Sequence, residues 1–347
     1  MDYKDLTPNL TPNELRQRLN KVSRVSLAHL PTPLELCPRL TEELGGPRIL
    51  IKREDCTGLA FGGNKTRILE YVLGEAIRTG ANCVIQGAAE QSNHCRQLAA
   101  AAAKLGLTAH LVLHKYDVTT EIQGNLLLDH LLGAEIHLAD APLGEKMEEA
   151  KIQLGEQLRE DGETPFVITK EINESFAPLA YVDFILELSH QTDSEDIEPN
   201  HIYCSSAGAT QAGMVLGTKL LGLSWQITGI APIQWEEDHA VILTRNANSA
   251  AKKLNLTPNL ETQHFTNISN YIGATYGEPS PEGLEALSLM AQTEGIVLDP
   301  LYSSKALAGL IDHIRKGRLS ANDTVVFVHT GGTPALFAYN RNVLPNS

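Results

Sequence analysis

The chain of 347 residues has little basic charge, few cysteines and no long apolar run. Its 28 Lys and Arg are outnumbered by 42 Asp and Glu, and the formal net charge of −14 argues against nucleic-acid binding, which requires clustered cations. Five cysteines without a CxxC pair argue against a disulfide framework or zinc ribbon, and no histidine motif indicates a metal. No run approaches the ~20 apolar residues of a membrane helix, and the N-terminal residues lack the apolar stretch of a signal peptide. We therefore expect no membrane contact and a cytoplasmic location.

What is present is typical of a compact folded protein. Hydrophobic residues make up 42% of the chain and charged residues 20%, and the length suggests two domains. Short apolar or β-branched runs alternate with longer helical patterns, which predicts an α/β fold built on parallel sheets. The predicted strands cover residues 49–52, 83–86, 109–114, 135–138, 166–169, 201–204, 227–231 and 324–329. The predicted helices cover residues 64–79, 94–105, 120–132, 144–160, 177–191, 210–221, 240–254, 281–294 and 305–316.

One segment carries a lysine just after two adjacent glycines, where a helix is predicted to begin. In a phosphate loop, GxxxxGK[ST], the lysine follows the second glycine directly, whereas here Asn64 separates Gly63 from Lys65, which disfavours a nucleotide hydrolase. Adjacent glycines let the backbone approach a flat ligand, and a lysine in a dry site is a neutral amine nucleophile suited to imine formation. On this segment alone, a surface lysine after a glycine turn is the simpler interpretation.

Three further segments place polar or small residues directly after a predicted strand. The polar run 91–94 either caps its helix or binds a ligand. The small residues of 204–213 open a helix whose N–H groups and dipole suit a phosphate, although a tight turn without a ligand explains them equally. The strand at 324–329 ends at Thr330, whose hydroxyl is suited to a heterocyclic nitrogen, but a glycine pair alone is weak evidence.

Taken together, these segments resemble the fold-type II pyridoxal-phosphate enzymes, specifically the group containing D-cysteine desulfhydrase, L-cysteate sulfo-lyase and 1-aminocyclopropane-1-carboxylate (ACC) deaminase. The resemblance implies a tryptophan synthase beta-like fold, with two open twisted parallel-sheet domains and the cofactor in the cleft. It implies a large domain of residues 1–62 plus 181–347, a small inserted domain of residues 63–180, a homodimer and a small amino-acid substrate. It rests on short motifs in order: Lys52-Arg53-Glu54-Asp55, Gly62-Gly63-Asn64-Lys65, Gln91-Ser92-Asn93-His94, the loop 207–213, Tyr276-Gly277, Leu298-Asp299-Pro300-Leu301-Tyr302 and His329-Thr330-Gly331-Gly332.

The resemblance also implies roles for individual residues. Lys65 would form a Schiff base with pyridoxal 5'-phosphate and shuttle the proton at the α-carbon of the substrate. Asn93 would hydrogen-bond the ring oxygen of the cofactor, and Thr330 would face its pyridine nitrogen. Ser92 would meet the substrate carboxylate or assist proton transfer. The residues implied at the cofactor phosphate are Ala207, Gly208, Ala209 and Thr210. The other residues implied at the substrate are Gln91 and His94, with Tyr276 and Tyr302 flanking it.

Departures from the group bear on the substrate. In ACC deaminases a glutamate follows the tyrosine of the Asp-Pro-x-Tyr motif and meets the pyridine nitrogen, whereas this chain has Ser303 there. Related chains carry a glycine-rich segment where this chain has charged residues at 170–177, and the acid Glu90 precedes Gln91, so we expect a substrate other than plain D-cysteine. The predicted reaction is β-elimination from a small sulfur-containing amino acid. ACC deamination and a non-catalytic amino-acid-binding homologue are the alternatives.

Overall fold

The computed structural model describes residues 9–114 and 122–343. Within this part of the chain, helices and strands alternate as the sequence predicts. The strands are β1 (Leu34–Leu36), β2 (Arg48–Arg53), β3 (Cys83–Ala89), β4 (Thr108–His114), β5 (Glu135–Leu138), β6 (Pro165–Val167), β7 (His201–Ser205), β8 (Gln226–Ile230), β9 (Thr266–Ile268) and β10 (Thr324–His329).

The α-helices differ widely in length, and the last two are single turns. They are α1 (Pro12–Leu19), α2 (Pro38–Leu44), α3 (Asn64–Arg78), α4 (Asn93–Leu105), α5 (Gly124–Leu131), α6 (Glu145–Glu160), α7 (Lys170–Phe176), α8 (Leu179–Ser194), α9 (Ala209–Leu220), α10 (His239–Lys253), α11 (Pro281–Glu294), α12 (Ser303–Arg315), α13 (Thr333–Leu336) and α14 (Asn340–Val343). Every predicted strand and helix is present, with ends displaced by a few residues. The start predicted for α5, at residue 120, lies outside the described residues.

The larger sheet has six strands in the order β1-β2-β10-β7-β8-β9. β1 pairs antiparallel with β2, and the other neighbours are parallel. The four residues Val325, Val326, Phe327 and Val328 of β10 are fully buried, as expected for a central parallel strand covered on both faces. This sheet belongs to one compact unit, formed by the described residues up to Val22 together with Pro31–Arg53 and Glu174–Thr330.

A second compact unit contains a four-stranded parallel sheet in the order β5-β4-β3-β6. It comprises Ser23–Leu30, Glu54–Asn173 and the described residues from Gly331 onward. One cluster of its core joins Ile85 and Val112 of the sheet to Met147 of α6. The division predicted from the sequence, at residues 62 and 180, stays a prediction, because compactness alone does not show which segments form a domain. No helix in either unit, over the described residues, is long and apolar enough to cross a bilayer.

Candidate active site

The loop before Lys65 has an unusual backbone. From Gly58 to Gly63 it contains five residues with positive φ, two of them non-glycine: Ala60 at 43° and Phe61 at 68°. A Cβ at Gly62 would lie 1.9 Å from the Asp55 carbonyl oxygen, and one at Gly63 would lie 2.7 Å from Nε2 of Gln97. Both positions therefore require glycine, because no side chain fits the space or the conformation. The two adjacent glycines noted in the sequence are a structural necessity of this turn.

Buried polar contacts hold the loop and the start of α3 in place. The Gly63 N–H donates to Oγ1 of Thr57 over 2.8 Å, and Nη2 of Arg96 donates to the Gly62 carbonyl over 2.8 Å. Two residues beyond Lys65, Arg67 pairs with Glu54 through two hydrogen bonds of 2.6 and 2.9 Å, and both side chains are buried. A buried, bidentate pair of this kind is costly to break from one side. The backbone that carries Lys65 is thus anchored on both sides of the lysine.

The Lys65 side chain is partly buried. Burial lowers the pKa of Lys65 to about 8. None of the described residues forms an ion pair with it, and its charge in turn helps to lower the pKa of His94. An amine with a pKa near neutrality is available as a nucleophile and as a proton carrier at physiological pH. Lys65 therefore has a pKa suited to imine formation, and its role as the Schiff-base lysine stays a prediction.

Ser92 is the N-cap of α4. Its Oγ accepts hydrogen bonds of 3.2 Å from the N–H groups of His94 and Cys95. As a hydroxyl it can still donate its own proton, for which the described part of the chain offers no hydrogen-bond acceptor. The capping interpretation of the polar run is thus correct for Ser92, and it leaves one donor available for a ligand.

His94 has a defined tautomer. The Gly87 N–H donates to Oε1 of Gln86 over 2.9 Å, so Nε2 of Gln86 faces Nδ1 of His94, 3.2 Å away, as a donor. Nδ1 of His94 is therefore an acceptor and the ring proton lies on Nε2, which is buried and has no partner among the described residues. Burial, together with Lys65 and Lys151, holds the pKa of His94 well below its usual value. His94 is a neutral hydrogen-bond donor.

Gln91 and Asn93 contact the segment that leads into α5. Gln91 accepts from the Asn125 N–H over 2.9 Å through Oε1 and donates to the Gln123 carbonyl over 3.1 Å through Nε2. Oδ1 of Asn93 accepts from Nδ2 of Asn125 over 2.9 Å. Both ends of the Gln91 amide thus bond to the chain itself, so its predicted contact with substrate, which remains a prediction, would use its second amide proton.

In the larger-sheet unit, the loop after β7 is shaped by Ser206. Its Oγ accepts from the N–H groups of Gly208 and Gln211 over 3.2 and 3.1 Å. Nδ2 of Asn267 donates to the Ser206 carbonyl over 2.8 Å. The loop leads into α9, and the N–H groups of a helix's first turn lie outside the helical bonding pattern and favour an anion. Ala207 and Gly208 directly precede α9, and Ala209 and Thr210 are its first two residues.

The two predicted tyrosines of the larger-sheet unit are brought together. The hydroxyl oxygens of Tyr276 and Tyr302 lie 2.7 Å apart. The buried Asp299 carboxylate accepts from the Tyr302 N–H over 2.7 Å and from the Ser303 N–H over 2.8 Å, and the Ser303 hydroxyl also donates to it. This carboxylate therefore caps α12 and positions Tyr302. Thr330, at the end of β10, is buried in the same unit.

The glycine-poor segment forms the helix α7, which was not predicted. Its first N–H, that of Lys170, donates to Oε1 of Glu148 over 2.8 Å. Glu174, near its other end, accepts from Arg245 over 2.7 Å, and Arg245 also forms two hydrogen bonds to Glu237 of 2.6 and 2.9 Å. These carboxylates, above all Glu237, raise the pKa of Arg245. Hydrogen bonds to charged side chains thus hold the segment in which related chains are expected to have glycine.

Several residues of the candidate site escaped the sequence analysis. Asn125, Gln97 and Asn267 each hydrogen-bond a predicted site residue or its loop through a side-chain amide. Asn246 is buried, its Oδ1 has no described partner, and its Nδ2 lies 3.7 Å from where a Cβ at Gly208 would stand. Only Asn125 offered a signal, since the pair Gly124-Asn125 opens a helix.

Known proteins resemble this chain over almost its whole length. The family "pyridoxal-phosphate dependent enzyme" matches residues 25–331. The crystal structure of an ACC deaminase homologue has a TM-score of 0.87 at 34% identity, over 97% of this chain and 99% of that one. The processed form of threonine deaminase isoform 2 from Solanum lycopersicum has a TM-score of 0.63 at 18% identity, over 94% of this chain and 87% of that one. The second likeness is one of fold alone, and the predicted fold class is confirmed.

Proposed function

This chain belongs to the pyridoxal-phosphate-dependent enzymes of fold type II, and from that premise we propose that it catalyses β-elimination from a small sulfur-containing amino acid. In this reaction a base removes the α-proton, and the carbon–sulfur bond breaks with its electron pair leaving on sulfur. Water then hydrolyses the released enamine. The products are pyruvate, ammonia and sulfide or sulfite, according to the leaving group.

The donor set of the described residues fits pyridoxal 5'-phosphate. Lys65 offers an amine of lowered pKa to its aldehyde, Asn93 a side-chain amide to its ring oxygen and Thr330 a hydroxyl to its ring nitrogen. The residues from Ala207 to Thr210, which lead into α9, offer backbone N–H groups to its phosphate. When bound, the cofactor supplies a conjugated ring that accepts the electron pair from a broken bond at the α-carbon.

Moving the α-proton is the proposed task of Lys65. With a pKa of about 8, its amine exists in both protonation states near neutral pH and can take and return a proton. The hydroxyl of Ser92 and the Nε2–H of His94 are two neutral donors that suit a carboxylate or a sulfonate oxygen. We propose that they orient the substrate so that its α-hydrogen meets the amine.

Tyr276 and Tyr302 are proposed to act at the leaving group. Their hydroxyl oxygens, 2.7 Å apart, share a hydrogen bond along which a proton can pass to a departing sulfur. The Asp299 carboxylate holds the backbone of Tyr302, and Nζ of Lys305 holds the loop of Tyr276 by donating to the Ile272 carbonyl over 2.5 Å. Hydrogen bonds thus hold both of the segments that carry the two tyrosines.

The observation that carries the choice of reaction is Ser303. A serine side chain has no carboxylate for the pyridine nitrogen, and the hydroxyl of Ser303, which is fully buried, donates to Asp299. A neutral partner such as Thr330 leaves that nitrogen less firmly protonated, which suits elimination from a substrate with an acidic α-hydrogen and a good leaving group. ACC deaminase activity is the second candidate, because the 34%-identical crystal structure is that of an ACC deaminase homologue.

The experiment is to incubate the purified protein, loaded with cofactor, with D-cysteine, L-cysteine, L-cysteate and ACC, and to identify the keto acid released. Pyruvate from one of the three sulfur compounds supports the proposal. 2-Oxobutyrate from ACC, with no pyruvate from the others, replaces it with the deaminase. A visible band that shifts with an amino acid while no keto acid forms would show a binding protein instead. A Lys65→Ala variant should release no keto acid from any of the four compounds.

The assembly and location of the protein are proposed from the resemblance alone. We propose a homodimer in the cytoplasm. Light scattering of the purified protein measures its mass, and the mass of a monomer would contradict the proposed homodimer. Fractionation of the source cells tests the proposed location.

A further inference from the structure

Asn125, at the start of α5, connects two residues of the proposed cofactor and substrate site. It is fully buried. Its Nδ2 donates to the Gln91 carbonyl over 2.8 Å and to Oδ1 of Asn93 over 2.9 Å, and its own N–H donates to Oε1 of Gln91 over 2.9 Å. All three contacts lie within the unit that contains Lys65. Asn125 is separated from Asn93 by 32 residues, so only folding brings them together.

These contacts determine which way the Asn93 amide is turned. The Gln91 carbonyl oxygen can only accept, so the Asn125 atom beside it must be the Nδ2 donor. The same nitrogen also faces the Asn93 side chain, which must therefore present its oxygen. Nδ2 of Asn93 is then the end of the amide that remains for a ligand, and no acceptor for it lies within the described residues.

We propose that Asn125 is a positioning residue that turns the Asn93 amide so that its N–H, and not its oxygen, meets the ring oxygen of the cofactor. This inference rests on the proposed role of Asn93. The ring oxygen carries negative charge, so a donor stabilises it and an amide oxygen in the same place would repel it. Asn125 acts on the cofactor only through Asn93.

The test is a double-mutant cycle on cofactor binding, without any substrate. Apoprotein is titrated with pyridoxal 5'-phosphate for the wild type, Asn93→Ala, Asn125→Ala and the double variant. We expect Asn125→Ala to raise the Kd about tenfold, or about 1.4 kcal/mol, in the wild-type background. In the Asn93→Ala background its effect should fall below about twofold, because the residue through which it acts is gone. An equal effect in both backgrounds would overturn the inference.

A conservative variant gives a spectroscopic readout. Asn125→Asp keeps the size but removes the donor, so the Asn93 amide should reverse and place its oxygen against the cofactor. The ring oxygen would then hold a proton more tightly, and the pH at which the visible band of the bound cofactor changes should rise by about one unit. An unchanged titration together with a lower melting temperature would show a structural role alone and refute the proposal.

The matched control is Asn248→Ala. Asn248 is a partly buried asparagine whose amide bonds to the backbone of Leu260, in the unit that lacks Lys65. Its loss should leave the Kd and the visible band unchanged. Because none of these measurements uses a substrate, coupling between Asn93 and Asn125 can be found even if the proposed elimination fails. Conversely, elimination with no coupling would refute only the role of Asn125.

Discussion

The lowered pKa of Lys65 predicts how fast the apoprotein takes up its cofactor at each pH. The amine must be neutral to attack an aldehyde, and burial lowers its pKa from 10.5 to about 8. At pH 7 about one tenth of the amine is then neutral, roughly 300-fold more than for an unshifted lysine. The second-order rate of cofactor binding to apoprotein should therefore rise tenfold per pH unit below pH 8 and level off above it.

The assay follows the visible band after rapid mixing of apoprotein and cofactor across the pH range. Lys65→Met should give no band, and Lys104→Met, which removes an exposed lysine from α4, should leave the profile unchanged. A midpoint near 10.5 would refute the reasoning, since it would show that the folded protein does not perturb the amine.

The same shift affects stability. Between pH 8 and 10.5 the unfolded chain binds a proton at Lys65 that the folded chain has lost, so the free energy of unfolding rises with pH in this window. The contribution is absent below about pH 8 and complete above about pH 10.5, with a total of about 3 kcal/mol. Denaturant unfolding of the apoprotein measures it. An identical pH dependence in Lys65→Met would contradict this account.

Three further variants test other parts of the structure. Arg67→Met should lower the free energy of unfolding by about 3–5 kcal/mol, because it takes a guanidinium and its two hydrogen bonds away from the buried carboxylate of Glu54, whereas a double replacement of both by apolar residues should cost less; equal losses would contradict this. Gln86→Leu should raise KM about tenfold with little change in kcat, because the ring proton of His94 is no longer held on Nε2, and an unchanged KM would argue against a substrate contact. Ser206→Ala should weaken cofactor binding about tenfold, measured by titration of the apoprotein, since the N–H groups of Gly208 and Gln211 lose the hydroxyl oxygen that accepts from both; an unchanged Kd would show that the loop keeps its shape without it.

Elements with both apolar periodicity and end signals were predicted from the sequence. The helix at residues 281–294 has its predicted ends, and both ends carry clear signals: Ser280 caps it, Pro281 opens it and Gly295 closes it with a φ of 68°. The helix α1, which was not predicted, carries a full capping box between Thr11 and Glu14 and a proline in its first turn, and these residues are a local signal for a helix start. The strands β1 and β9, with three residues each, depend on pairing with β2 and β8, so their own residues carry little information.

The site was predictable only in part, for a physical reason. Lys65 and Ser92 stand next to glycines or helix starts, and these local patterns are visible in the sequence. The contributions of Asn125 and Asn267 come from hydrogen bonds to residues 32 and 61 positions away, which no local pattern encodes. The helix α7 was missed because the segment was interpreted by what it lacks, glycine, and not by its charged contacts with Glu148 and Arg245.

The Oγ atom of Ser92 limits which amino acids can replace this residue. An N-cap tolerates Ser, Thr, Asp, Asn and Gly, but only the two hydroxyl residues also supply a neutral donor whose rotor can turn toward a ligand. Asp would bring a charge that repels a substrate carboxylate. Asn has a longer and bulkier side chain than Ser. A saturation library selected for turnover should therefore retain two amino acids at this position, whereas one selected for folding alone should retain five.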